Sequence, residues 1–198
     1  MARPRSAGFD NQREQILAAA ARLFASRGYT AASMSEVAAA CGVSKATLYH
    51  YVRDKHGLLA QISAGHVARL EALLAEVAAQ QLAPRPHLRA LILRFMQAYA
   101  NAEHEHRVLT EDIKFLAVAE RERVIGGQRR VVAAFADAVA ALRPGLRRAG
   151  LDRAVTMLLF GMINWTFTWL RAEGPLTHEA LAPIVTDLFL GGLDAVAA

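Results

Sequence analysis

Residues Ser33 to Lys55 constrain the fold of this chain more than any other stretch, because they contain the start and stop signals of two short helices. Ser33 and Glu36 have the spacing of a capping box, in which each side chain satisfies the backbone amide of the other residue. Gly42 suits a tight turn, since glycine adopts positive φ without steric cost. Ser44 is placed to cap a second helix. This order indicates a helix-turn-helix, the motif that places a helix in the major groove of DNA.

The second helix has two faces when its residues are placed about 100° apart. Leu48, Tyr51 and Val52 fall on the apolar face and should point toward the protein interior. The opposite face carries an ammonium, a hydroxyl, a phenol, an imidazole and a methyl group, which can contact base edges or phosphates. An ordinary capped surface helix is the alternative, but the two caps, the glycine turn and a basic flank occur together at helix-turn-helix spacing.

The predicted DNA-contacting residues are of two kinds. We assign Tyr49 and Lys55 to phosphates, and Lys45 and His50 to base edges. Lys55 lies in the first turn of the next predicted helix, where a phosphate can meet backbone amides as well as an ammonium. The complete predicted set is Ser33, Ser35, Ser44, Lys45, Ala46, Thr47, Tyr49, His50 and Lys55.

Several spaced segments around this motif carry a family resemblance. They read R-E-Q-I-L-A-A-A-A-R-L-F-A-S-R-G-Y, S-M-S-E-V-A, G-V-S-K-A-T-L-Y-H-Y and D-K-H-G-L-L. With these segments, the region from Arg13 to Ile62 resembles the N-terminal DNA-binding domain of the TetR family of bacterial transcriptional regulators. One departure is Tyr51, where many members carry Phe, and its ring still suits an inward position.

The composition favours an all-α protein. Apolar residues make up 54% of the 198 residues and only 6 are proline. We predict an N-terminal three-helix helix-turn-helix domain over residues 1–54 and a C-terminal helical domain for regulation, ligand binding and dimerisation over residues 55–198. The N-terminus lacks an apolar signal segment and Cys41 is the only cysteine, so we expect a cytoplasmic protein with neither a disulfide nor a membrane partner.

Positive charge is concentrated at the N-terminal end. Residues 1–60 hold 8 Lys/Arg and 4 Asp/Glu, whereas residues 61–198 hold 15 and 14. The excess therefore lies with the helix-turn-helix, where phosphate contacts would need it. Arg3 and Arg5 form either an arm that touches DNA or a solvated tail.

Apolar periodicity predicts the remaining helices. Within them, we expect His104 and His106 on the solvated surface, and Gly126-Gly127 where close packing or a bend requires small residues. The predicted helices are Asp10–Arg27 closed by Gly28, a long helix capped by Asp54 and ending before Pro84, one after Pro86, His104–Phe115, and Ala119–Leu142 followed by a loop over 143–150.

The two C-terminal helices are expected to form a dimer interface. Val155–Leu170 is apolar nearly all round, which requires burial on several sides. We therefore expect a homodimer in which both helices meet their symmetry mates as a four-helix bundle, an arrangement that the family resemblance also implies. A monomer that buries both helices in its own core is the alternative. The stripe of the final helix is Leu181, Ile184, Val185, Leu188 and Gly192.

Aromatic rings and single polar groups accumulate where the C-terminal domain would enclose a pocket for a small molecule. Asn164 is the sharpest candidate, because an amide within an apolar helix needs a hydrogen-bond partner. Plain core packing is the alternative for each ring. The predicted ligand-binding set is Phe95, Tyr99, Arg107, Lys114, Phe115, Phe160, Asn164, Trp165 and Trp169.

A second resemblance concerns the effector. The segments E-H-E-H-R-V-L-T-E-D-I-K-F-L and L-L-F-G-M-I-N-W-T-F-T-W-L-R are similar to regulators of fatty-acid and aromatic-acid catabolism that respond to acyl-CoA thioesters, including the phenylacetate-degradation repressors. It implies that an acyl or aryl group, such as that of phenylacetyl-CoA, enters the pocket while basic side chains meet the phosphates of CoA. Besides Arg107 and Lys114, these could include Arg129 and Arg130, for which a solvated helix face is the commoner explanation.

Three functions compete at this point. We favour a ligand-responsive regulator, most simply a repressor released from palindromic double-stranded DNA by a small molecule. The second is a dimeric DNA-binding protein without ligand control. The third is a helical-bundle enzyme or metal protein, against which the chain shows no G-x-S-x-G, Walker or H-E-x-x-H motif. We expect no cofactor and no metal.

Overall fold

A computed structural model describes residues 7–170 and 174–197, and within these residues the secondary structure is helical with no β-strand. The predicted all-α fold class is confirmed. Arg3 and Arg5 lie outside the described residues. The α-helices are α1 (Ala7–Arg27), α2 (Met34–Ala40), α3 (Lys45–Tyr51), α4 (Lys55–Ala78), α5 (Pro84–Asn101), α6 (Glu103–Glu111), α7 (Val118–Leu142), α8 (Pro144–Arg148), α9 (Asp152–Asn164), α10 (Thr166–Trp169) and α11 (His178–Ala195), with a 3-10 helix at Ile113–Phe115.

The chain divides into two compact units. The first runs to His66 and includes His104–Val124, and the second comprises Val67–Glu103 and the residues from Ile125 onward. Helices α4 and α7 therefore contribute to both units. The sequence-based boundary after residue 54 stays a prediction, because it concerns which residues bind DNA rather than which residues pack together.

The core of the first unit is built on α1. Its inward face buries Ile16 and Phe24, and the helix ends where the amide of Gly28 donates to the carbonyl of Phe24 at 2.8 Å. Gly28 has φ of 82°, so the predicted glycine C-cap is confirmed. Helix α1 packs against α2, and α2 against α3. Val37 of α2 and Leu48 of α3 have no exposed surface, which fixes both short helices to the unit.

Helix α6 corrects one expectation. His104 is exposed as predicted, but His106 is buried, and its ring centroid lies 5.6 Å from that of His66 on α4. Two residues apart on a helix point about 200° away from each other, so one imidazole faces solvent while the other faces the interior. Val108 and Leu109 share the buried side of α6 with His106.

The second unit has one continuous apolar core. Its rings meet edge to face, with centroid distances of 4.8 Å for Phe95 to Phe135 and 5.0 Å for Phe135 to Phe160. Helices α5 and α11 pack together, and two ion pairs join their exposed edges. They are Arg85 to Asp194 at 3.2 Å and Arg89 to Asp187 at 2.9 Å.

The apolar stretch Val155–Leu170 is two helices rather than one. Helix α9 ends at Asn164 and α10 begins at Thr166, whose hydroxyl donates to the carbonyl of Ile163 at 2.9 Å. Such local hydrogen bonds from threonine compete with the helical ladder. None of the helices in the described residues combines the length and apolarity needed to cross a bilayer.

Two further details concern α7 and the loop after it. The loop predicted over 143–150 contains the short helix α8, which begins at Pro144. Within α7, a Cβ atom on Gly127 would overlap with Cγ1 of Val67 on α4. Close packing, one of the two explanations offered for the glycine pair, therefore applies to Gly127. Gly126 is different, since a Cβ there would meet only the end of Arg130 at 3.7 Å.

Candidate nucleic-acid interface

Backbone hydrogen bonds close the turn between α2 and α3. The amide of Gly42 donates to the carbonyl of Ala39 at 3.1 Å, and the amide of Val43 donates to that of Ala38 at 3.0 Å. This pair of bonds is a Schellman motif, which needs a residue in the left-handed region after the helix. Gly42 supplies it with φ of 64°. The predicted turn is confirmed, and it sets the direction in which α3 leaves α2.

The capping box at the start of α2 is complete. The amide of Ser33 donates to Oε2 of Glu36 at 2.8 Å, and the amide of Glu36 donates to Oγ of Ser33 at 3.3 Å. Hydrogen bonds from Ser33 and the nearby guanidinium of Arg27 lower the pKa of Glu36 below its usual value. The hydroxyl of Ser33 also donates to Glu36 at 2.8 Å, so its one hydrogen is used within the protein. Ser33, predicted to touch DNA, thus serves the cap.

Helix α3 presents the predicted polar face to solvent. Oγ of Ser44 accepts from the amide of Thr47 at 3.0 Å, and the two hydroxyls lie 2.8 Å apart. Leu48 and Val52 are buried, so the helix can rotate little about its axis. The phenol of Tyr49 projects outward, with 46% of the residue exposed. The exposed members of the predicted set on α2, α3 and the turn are Ser33, Ser35, Ser44, Lys45, Ala46, Tyr49 and His50, with Thr47 half-buried.

Two contacts that hold the helix-turn-helix in place were not predicted from the sequence. The ring of Phe9 stacks on that of Tyr51 with centroids 4.6 Å apart, and Nε of Arg13 donates to Oε1 of Gln61 at 2.9 Å. The first contact holds the end of α3 to α1, and the second joins α1 to α4. Apolar periodicity predicts that Tyr51 faces inward, but it does not predict which residue its ring contacts.

Lys55, assigned from the sequence to a DNA phosphate, has hydrogen-bond partners within the protein. Its ammonium donates to the carbonyls of Tyr29, Thr30 and Ala32 at 2.9, 3.2 and 2.9 Å. An ammonium has three donors, so all of them are engaged inside the first unit. Lys55 is the first residue of α4, as the motif predicts, and its role toward a phosphate stays a prediction.

Three of the predicted ligand-binding residues lie in the first unit. Arg107 is exposed and pairs with Glu111 at 3.3 Å, one turn along α6. The ammonium of Lys114 lies 5.3 Å from the ring centroid of Phe115, and that ring stacks on Tyr29 at 5.1 Å. Within this unit, Phe115 therefore has the surroundings of a packing residue.

The other six predicted ligand residues lie in the second unit and separate into buried and exposed groups. Phe95, Tyr99 and Phe160 belong to the core, and burial raises the pKa of Tyr99. Asn164 is partly buried at the end of α9. Trp165 and Trp169 are each 55% exposed, and Trp169 borders a cavity of about 170 Å³ with residues 170 and 174–176. The predicted rings therefore do not line one common cavity within this unit, and the ligand-binding set remains a prediction.

The two C-terminal helices carry apolar side chains that the described part of the chain leaves exposed. Leu158 of α9 is 69% exposed and Leu188 of α11 is 64% exposed. Other exposed apolar side chains here are Met157 of α9, Trp165 just after it, and Ile184 of α11. Two other residues of the predicted stripe on α11, Leu181 and Val185, are instead buried within the second unit. Apolar side chains exposed in such numbers mark an interaction surface.

Comparison with known proteins identifies the class. Residues 16–62 match the family model described as bacterial regulatory proteins, tetR family, and residues 81–193 match that described as tetracyclin repressor-like, C-terminal domain. The crystal structure of a TetR-family transcriptional regulator from Bordetella parapertussis 12822 is 34% identical, with a TM-score of 0.87 over 96% of this chain and 99% of that one. The chain belongs to the TetR family of transcriptional regulators.

Two other relatives describe the range of this similarity. The transcriptional repressor KstR2 of Rhodococcus jostii is 25% identical over 191 residues, which cover 95% of this chain and 94% of the relative. AibR, solved in complex with isovaleryl coenzyme A and operator DNA, is 26% identical with a TM-score of 0.75, covering 89% of this chain and 97% of AibR. The protein is therefore a helix-turn-helix transcriptional regulator and not an enzyme.

Proposed function

We propose that this regulator is a homodimeric repressor that leaves a palindromic operator when it binds an acyl-CoA thioester. The observation that carries the proposal is the outward face of α3, held between a closed glycine turn and the buried Leu48 and Val52. That face offers Lys45, Tyr49 and His50 to a major groove. The exposed apolar faces of α9 and α11 support the homodimer, because a second copy would cover them.

The effector class is supported by the resemblance of two segments to acyl-CoA-responsive regulators and by AibR, which was solved with isovaleryl coenzyme A. In this proposal the exposed cations of the first unit, Arg107 and Lys114, meet the CoA phosphates, and Arg107 exchanges its pairing with Glu111 at 3.3 Å for one of them. Arg130 is a weaker candidate, because its guanidinium pairs with Glu71 at 2.6 Å. Arg129 is exposed on the same helix.

The experiment first tests operator binding and then tests whether an acyl-CoA thioester weakens it. An operator is first selected from random duplexes, and its affinity is then measured by fluorescence anisotropy at fixed salt, with and without isovaleryl-CoA or phenylacetyl-CoA. Coenzyme A and the free acids are the controls for the two halves of the ligand. We expect one of the thioesters to weaken operator binding by about 5- to 150-fold, a usual range for allosteric coupling.

Linkage supplies an independent check on the same effector. If the thioester weakens DNA binding by a given factor, operator DNA must weaken thioester binding by the same factor. Calorimetry of the protein with the thioester, alone and with saturating operator, measures that factor. Equal affinities in the two titrations would remove acyl-CoA control and leave the DNA-binding function standing.

A further inference from the structure

Three helices of the first unit meet at Tyr29, in the loop that leads from α1 into the helix-turn-helix. Its ring lies edge-on to Phe24 of α1 at 5.3 Å and edge-on to His56 of α4 at 5.9 Å. It stacks on Phe115 of the 3-10 helix at 5.1 Å, and Nζ of Lys55 lies 4.6 Å from its centroid. Tyr29 itself is 5% exposed. We call this group of side chains the Tyr29 junction.

The ammonium of Lys55 fixes the backbone of that loop. Its three hydrogen bonds reach the carbonyls of Tyr29, Thr30 and Ala32, and the next residue is Ser33, the N-cap of α2. A charged donor makes stronger hydrogen bonds than a neutral one, and a ring beneath the cation adds a cation–π contact. Because Lys55 is the first residue of α4, the start of α4 is tied to the start of α2.

Phe115 connects the same loop to a segment that lies far away in the sequence. It ends the 3-10 helix that follows α6, and the amide of Leu116 closes that turn on the carbonyl of Ile113 at 3.1 Å. A stacked pair of rings loses contact when one ring shifts or tilts. Movement of the residues around Phe115 would therefore reach Tyr29, then the carbonyls bound to Lys55, and then the N-cap of α2.

We propose that Lys55 is a positioning residue for DNA binding, acting through the loop at residues 29–32, and that Phe115 sets the position of this loop through its stack on Tyr29. Lys55 thus acts on DNA affinity without contacting a phosphate. The proposal assigns the regulation of the helix-turn-helix to the Tyr29 junction. It rests on the proposed DNA-binding function, whose failure would appear in the wild-type protein before any variant is compared.

Salt dependence separates a positioning residue from a phosphate ligand. Each phosphate contact that is lost reduces the slope of log K against log salt by about 0.9 for duplex DNA. The variants are Lys55→Met, which keeps the length of the side chain, and Arg53→Met, which removes an exposed charge two residues away. Affinity is measured on a random-sequence duplex and on the selected operator over a series of salt concentrations.

For Lys55→Met we expect operator affinity to fall by about tenfold, with the wild-type salt slope, because hydrogen bonds of the ammonium are lost within the protein. Amide exchange at residues 30–33 should rise in the same variant, as expected for a released loop. A slope reduced by about one, with unchanged exchange, would make Lys55 a phosphate ligand and overturn the proposal. Unchanged operator affinity would also overturn it.

Phe115 gives a second test that leaves the hydrogen bonds of Lys55 in place, should Lys55→Met fail to fold. We expect Phe115→Leu to weaken operator binding by about threefold at the wild-type slope, since a stacked pair of rings stabilises the structure beyond the area it buries. Phe115→Tyr keeps the ring and should restore the affinity. Equal affinity for wild type and Phe115→Leu, or equal loss in Leu and Tyr variants, would remove Phe115 from the junction.

Discussion

Different interactions stabilise the helix-turn-helix and the two C-terminal helices α9 and α11. Helices α2 and α3 are each seven residues long and are held by capping hydrogen bonds, a Schellman turn and a few buried side chains. Isolated helices of that length are unstable in water. Helices α9 and α11 are longer and rely on apolar faces, part of which is exposed among the described residues.

Substitutions in the two regions should therefore have different consequences. In the helix-turn-helix, single polar atoms decide geometry, so conservative substitutions at caps should alter DNA binding while the rest of the protein stays folded. In α9 and α11, the exposed apolar side chains contribute through the area that a partner would bury. Changes there should alter assembly first.

The largest effect is expected for Leu158→Glu combined with Leu188→Glu. Both residues are exposed in the single chain, so the substitutions should leave the subunit folded, whereas a carboxylate buried in a dimer interface is strongly unfavourable. We expect the dimer dissociation constant to rise by at least about 1000-fold, equivalent to about 4 kcal/mol. Sedimentation measures the assembly, and circular dichroism checks the fold.

The matched control is Val118→Glu in α7. Val118 is an exposed apolar residue, at 63%, but it lies outside α9–α11. The Val118→Glu substitution should therefore leave the dimer intact. A dimer of normal strength in the double variant would place the subunit contact on another surface.

The next effect concerns the contact between α4 and α7. Gly127→Ala should destabilise the second unit by about 1–3 kcal/mol, the usual range for overpacking, because the new methyl group overlaps with Val67. Gly126→Ala meets only a flexible guanidinium and should be neutral or stabilising by up to about 1 kcal/mol, since alanine favours a helix. Urea unfolding compares the pair. Equal stabilities would mean that the helices separate without cost.

A smaller effect is expected at the turn. Gly42→Ala should cost about 1–2 kcal/mol, because a Cβ is unfavourable in the left-handed region at φ of 64°. No atom lies within 4 Å of a Cβ built there, so the cost comes from the backbone alone. Gly42→Asn should recover part of the loss, since asparagine tolerates this region. Thermal unfolding and operator affinity of both variants provide the measurement, and equal losses in both would refute a backbone cause.

The smallest effect concerns pH. The pKa of Glu36 is lowered in the folded state by hydrogen bonds from Ser33 and by Arg27, relative to an ordinary value near 4.5. Its carboxylate therefore stabilises the fold above that ordinary value, and the contribution is lost as pH falls through the lowered one. Urea midpoints of wild type and Glu36→Gln, compared from about pH 6 to about pH 3, should converge at the acidic end. A constant difference between them would exclude titration of Glu36 as the cause.

The same contrast explains what could be predicted from the sequence. The capping box, the turn at Gly42 and the cap at Ser44 involve residues within a few positions of one another, so spacing alone indicates them. The helix closed by Gly28 was predicted for the same reason. Each of these predictions is confirmed by a hydrogen bond or a positive φ.

Long-range contacts could not be read in this way. Lys55 binds carbonyls more than twenty positions away, and Gly127 is required by Val67, which belongs to another helix. Composition marks Lys55 as a cation beside a helix N-terminus, which describes a phosphate ligand equally well. His106 was misplaced because the charged letters around it suggested a surface, whereas α6 turns one of its two imidazoles inward. The same reason applies to the predicted pocket, since the sequence alone does not distinguish an aromatic residue that lines a pocket from one that packs in the core.

Whether one dimer binds both half-sites is measured by its affinity for a selected palindrome and for the same palindrome with about five base pairs inserted between its halves. Two helix-turn-helix motifs of one dimer must enter major grooves on one face of the duplex, and half a helical turn, about five base pairs, moves the second half-site to the opposite face. We predict that the insertion reduces binding to the level of a single half-site. Undiminished affinity for the interrupted palindrome would contradict a dimer that reads both half-sites at once through α3.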